Sequence, residues 1–110
     1  MRTGILQRSR ASRNDMDLVQ LEQSGHRGAF FIARGGERLA ELTFSGSGDG
    51  KLVMLDHTDV SESLRGQGVA RTLVEEAVRW ARREGIHLVP VCPFARAVFD
   101  REPSFHDVLA

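Results

Sequence analysis

A chain of 110 residues is long enough for one domain with one buried core and too short for two. Its 15 Lys and Arg cancel its 15 Asp and Glu, so no whole-molecule field draws it to nucleic acid or to an anionic membrane. One cysteine, Cys92, excludes an intrachain disulfide and a paired-cysteine zinc site, and no run is apolar enough to cross a bilayer. The expectation is a cytoplasmic protein, a monomer or weak dimer, with no metal and no nucleic-acid or membrane partner.

Residues 1–16 carry four arginines against one acid and little that packs, which predicts a flexible basic arm ahead of a single domain over 17–110. Asp17 to Gln23 and Ala29 to Ala33 are two runs of strand formers, the second bounded by Gly28 and by Gly35-Gly36. From Arg38 to Ser45, Ala40, Leu42 and Phe44 alternate with Glu41, Thr43 and Ser45, the period of a half-buried strand. The turn residues Gly46 to Gly50 lead into Lys51 to Val60, another extended run with a continuous apolar core. A four-strand meander therefore precedes the stretch that organises the rest.

That stretch opens with Arg65-Gly66-Gln67-Gly68 and continues as a helix over 68–84. Apolar residues recur at Val69, Ala70, Leu73, Val74, Ala77, Val78 and Ala81, while Arg71, Glu75, Glu76, Arg79, Arg82 and Arg83 take the other side and Gly85 ends it. Trp80 lies off the centre of the apolar stripe and reads as edge packing. Ile86 to Val91 then returns as a strand parallel to the fourth through a right-handed crossover. Pro90 and Pro93 bracket Cys92, so the chain leaves the sheet there, and Phe94 to Arg101 forms a short second helix before Glu102-Pro103-Ser104 breaks it. The fold class is α+β, a mixed, mostly antiparallel sheet of about five strands with one long helix and a short C-terminal helix.

A helix that starts on glycines turns several unpaired amides outward and so favours an anion. Gly66 and Gly68 leave room for a phosphate to approach those amides, and Arg65 adds charge at the rim. His57 and Cys92 each lie near the C-terminal end of one of the two strands predicted to be parallel neighbours, the end at which ligands enter α/β sheets. A histidine or a helix start beside a thiol favours the reactive thiolate. His26, His87 and His106 have no such placement and read as surface residues.

Arg65-Gly66-Gln67-Gly68-Val69-Ala70 fits the R/Q-x-x-G-x-G/A pattern of acyl-CoA binding in GNAT acetyltransferases. The C-terminal half, with MLDHTDVSESLRGQGVARTLVEEAVRWARREG, then VPVCPF and a proline-containing tail, resembles the small single-domain GNAT-like proteins of the YjdJ or GTLP type. The resemblance implies acetyl-CoA as co-substrate, an amine acceptor of unknown identity, and His57 and Cys92 as active-site residues. It also implies a CoA site at Arg65, Gly66, Gln67, Gly68, Val69 and Ala70, with backbone amides from Asp56 to Thr58 polarising the thioester. The chain departs from the pattern in having no tyrosine and in placing Glu102-Pro103 where the family often has His-Pro. Two other readings fit the same residues: a CoA or acyl-CoA binding protein without turnover, and an interaction domain that keeps the fold.

Overall fold

The computed structural model describes residues 7–10 and 18–110. Among these residues six strands form one sheet in sequential order: β1 (Gln7–Arg10), β2 (Leu18–Ser24), β3 (Arg27–Arg34), β4 (Glu37–Gly46), β5 (Leu52–Val60) and β6 (His87–Pro90). The first five pair antiparallel, and β6 lies parallel to β5. Helix α1 (Val69–Glu84) supplies the crossover between β5 and β6, and α2 (Pro93–Arg101) follows. The expected α+β architecture holds, with one strand more than the five predicted.

The sixth strand lies within the stretch expected to be an arm: Gln7 to Arg10 pair with Leu21 to Leu18. The rest of the predicted arm, 1–6 and 11–16, lies outside the described residues.

One face of the sheet carries the core. Leu42, Leu55, Leu73, Val74, Ala77, Leu88 and Ala95 are fully buried between the sheet and the two helices. Trp80, expected at an edge, is instead a centre of this core: its ring stands 5.5 Å from Phe30 and 5.0 Å from Phe44. A helix resting on a twisted sheet buries more than its narrow apolar stripe, so residues flanking the stripe are covered too. Glu76 is covered likewise, 3% exposed, with Arg79 Nη1 donating to its carboxylate at 2.7 Å.

Two irregularities set up the site. Between Thr43 and Phe44 the register of β4 on β5 shifts: Phe44 opposes Leu55 while Thr43 opposes His57, so Asp56 is an extra residue on β5. Such a bulge reverses which residues face the core from that point on. Val53 and Leu55 face the helices before it, and Thr58, opposite the fully buried Leu42, faces them after it. The second irregularity is the early end of β6, whose pairing with β5 stops at Leu55 opposite Pro90. Val91 N and Cys92 N both donate to the Leu55 carbonyl, at 3.1 and 3.0 Å, and there the chain turns away. The remainder of β5 runs on without β6 beside it.

Candidate active site

A cleft of about 390 Å³ fills the space where β5 and the chain after β6 part. Thr58, Asp59 and Val60 form one wall, Leu64, Arg65, Gly66, Gly68 and the first turn of α1 another, and Phe94 closes the side toward α2. A short 3-10 turn, Glu62–Leu64, capped by the Ser61 hydroxyl, carries the chain from the end of β5 to the glycine turn. Leu64 anchors this turn in the core at 1% exposure, which fixes the residues after it against the cleft.

The helix start has the features of an anion site. Gly68 takes the left-handed conformation, φ 74°, as the residue preceding α1, and no side chain caps the helix there. No acid occupies the first turn. Gly66 is also left-handed, and a Cβ added at either glycine would meet no protein atom within 4 Å. The space above the amides of Val69 to Arg71 is therefore open, as a phosphate requires. Arg65 Nε donates to the Val60 carbonyl at 3.3 Å, which holds its guanidinium along the rim. Arg71, which sequence reasoning placed on the outer helix face, also lines the cleft and pairs with Glu102 at 3.3 Å.

Behind Thr58 stands Cys92, 6% exposed and preceding Pro93, the first residue of α2. Its Sγ lies 3.3 Å from Thr58 Oγ1. Burial pushes the thiol up, but the Thr58 hydroxyl and the amides of Ala95, Phe94 and Thr58 together outweigh it and hold Cys92 below the ordinary thiol value. The helix amides act here through their direction, without a regular capping hydrogen bond. Of the two partners expected for the sulfur, the α2 start is present and His57 is not.

The reason is the bulge at Asp56. His57 is exposed and pairs with Thr43 on the helix-free face, and Asp56 lines a polar groove on that face with Glu22, Arg38 and Thr43. Strict alternation from Leu55 would have placed His57 beside Cys92; the extra residue gives that position to Thr58. Gln67 also points elsewhere, its amide donating to the Ser63 carbonyl at 3.2 Å. The cleft thus brings together Thr58, Arg65, Gly66, Gly68, Val69 and Ala70 of the predicted set, with Cys92 against Thr58.

Phe94 and Arg71 escaped the sequence reading. Phe94, 43% exposed and one residue after Pro93, carries the signal of an apolar side chain that the core leaves uncovered. Among the described residues no group of three or more His, Cys, Asp and Glu is placed to hold a metal, and no helix is long and apolar enough to cross a membrane.

Comparison with known structures finds the same arrangement elsewhere. The solution structure of a GCN5-like protein from Staphylococcus aureus is 32% identical, with a TM-score of 0.63 over 82% of this chain and 86% of that one. The crystal structure of a ribosomal-protein-alanine N-acetyltransferase from Brucella melitensis biovar Abortus 2308 shares the fold, at 20% identity and a TM-score of 0.55 over 69% of this chain and 62% of that one. No curated protein sequence matches. Residues 29–108 match the family model of the GCN5-related N-acetyltransferases. That span runs from β3 into the tail and takes in every wall of the cleft, and the chain belongs to the GCN5-related N-acetyltransferase family, whose reaction draws on acetyl-CoA.

Proposed function

We propose that the chain moves the acetyl group of acetyl-CoA to an amine by way of Cys92, without His57, whose place on the helix-free face puts it out of reach of an amine at the thiol. The observation that carries this reading is that one cleft runs from an uncapped helix start to Thr58, whose hydroxyl lies 3.3 Å from the sulfur of a thiol held below its ordinary pKa. The CoA pyrophosphate is held by the amides of Val69 to Arg71 beside Gly66 and Gly68, with Arg65 at the rim. The pantetheine arm runs along the free edge of β5 beyond Leu55. The Thr58 amide, which faces the Cys92 sulfur, polarises the thioester carbonyl.

The Cys92 thiolate adds to the carbonyl carbon, the bond from that carbon to the CoA sulfur breaks, and CoA departs as a thiolate that takes its proton from water. No tyrosine is needed to protonate it. A neutral amine then adds to the acetyl-cysteine from the cleft, the Cys92 sulfur leaves as thiolate, and the proton of the new ammonium passes to water. The acceptor is an amine on a small molecule or a protein.

Intact-mass measurement after incubation with acetyl-CoA alone tests the reading. Wild type should carry one acetyl group on Cys92, and Cys92→Ala should carry none while still binding CoA. His57→Ala should load and pass the group to an amine at about the wild-type rate, because the imidazole lies on the helix-free face. Amine acetylation by Cys92→Ala at the wild-type rate establishes direct transfer instead. Acetyl-CoA binding without CoA release over a panel of amines establishes a binding protein.

A further inference from the structure

Position 58 is out of keeping with its surroundings. Across the strand it opposes Leu42, on the sheet face that also carries Phe44 and Leu55, all three at most 2% exposed. A valine would satisfy the packing and strand preference of such a position as well as threonine does. The hydroxyl is therefore the part that packing does not explain, and it lies 3.3 Å from Cys92 Sγ.

The sulfur has few other ways to be held. Cys92 precedes α2 with extended backbone, φ −64° and ψ 130°, and makes no side-chain capping bond. Without a partner its χ1 is free to choose among staggered wells. The bulge at Asp56 delivers the hydroxyl: were Asp56 paired regularly, position 58 would face the other side of the sheet.

We propose that Thr58 is a positioning residue, its side-chain hydroxyl fixing the Cys92 sulfur against the free edge of β5 where the cleft opens. The inference rests on the acetyl-cysteine reading for its purpose, but the bond itself is testable without acetyl transfer. A hydroxyl that donates to the thiolate favours it over the thiol, and bonds to charged groups are the stronger ones.

The test is the pH profile of Cys92 alkylation by iodoacetamide in wild type, Thr58→Val and Thr58→Ser, each with a cooperative melt. Thr58→Val should move the midpoint up by about one pH unit, cutting labelling at neutral pH about tenfold. Thr58→Ser should return the midpoint most of the way, which a purely structural role at position 58 would not produce. Profiles that coincide for wild type and Thr58→Val overturn the inference, as does a serine variant that behaves like valine. If the alkylation midpoints move as expected but acetyl-CoA never acetylates Cys92, the hydroxyl–sulfur bond stands and the covalent route falls.

Discussion

The phosphate site is tested most cleanly by a matched pair of glycine substitutions at the two ends of α1. Gly68 and Gly85 both have left-handed backbone, φ 74° and 68°, and a Cβ on either meets no protein atom within 4 Å. Alanine at either place therefore costs backbone strain alone, about 1–2 kcal/mol, partly offset by about 0.4–1 kcal/mol from the stiffer unfolded chain. Each variant should melt a few degrees below wild type, since about 1 kcal/mol corresponds to roughly 4–8 °C in a domain of this order of size. Their response to ligand should differ. Acetyl-CoA at 100 times its Kd stabilises wild type by about 2.7 kcal/mol, and Gly85→Ala should keep that increment. Gly68→Ala places a methyl group in the open space above the helix amides and should lose at least about 1.4 kcal/mol of it, a tenfold weaker Kd. Thermal melts with and without acetyl-CoA read both quantities. A full ligand increment in Gly68→Ala refutes the phosphate site at α1, and an equal loss in Gly85→Ala shows that helix damage, rather than the cradle, was measured.

Trp80→Ala should cost about 3–5 kcal/mol in urea unfolding, the usual range for emptying a large aromatic site, because its ring packs on both Phe30 and Phe44; a loss under about 1 kcal/mol would return it to the edge. Arg65→Gln should weaken acetyl-CoA binding and flatten its salt dependence in titration calorimetry, since it removes a rim charge and leaves the amides in place. Cys92 alkylation should be half-maximal below the free-thiol value of about 8.5. A thiol whose folded pKa is depressed contributes stability above its unfolded pKa and loses it as pH falls through the folded one. The urea midpoint of wild type relative to Cys92→Ala should therefore rise from neutral toward alkaline pH, and a difference independent of pH would contradict the lowered thiol.

Most of the sheet and both helices were legible because their patterns are local. The alternation of Ala40, Leu42 and Phe44, the stripe from Val69 to Ala81, and the glycines at 68 and 85 each state an element and its end. β1 was not legible, because Gln7-Arg8-Ser9-Arg10 has no apolar alternation and joins the sheet through backbone pairing. Trp80 and Glu76 were misplaced because helical periodicity shows which side faces inward but not how far the sheet wraps around it. In the site, the glycine turn carried its own signal, whereas the partner of Cys92 depended on a bulge formed jointly by β4 and β5. No pattern within Leu52 to Val60 marks Asp56 as the extra residue, so counting by twos from Leu55 arrives at His57 and misses Thr58.

The bulge also gives Asp56 a significance that is independent of its carboxylate. Between Leu55 and Thr58 the strand holds one residue more than its neighbour, and because that residue is unpaired Thr58 shares a face with Leu55. A change of side chain at 56 preserves that count, and the strand should accept many. Loss of that residue removes the bulge but leaves His57 opposite Thr43 and Thr58 opposite Leu42, so both side chains keep their faces, whereas regular pairing of residue 56 would exchange them. The tip of β5 should thus tolerate both substitution and loss of residue 56, so that the cross-strand partners of His57 and Thr58, more than the residue between them and Leu55, are what this segment has to keep.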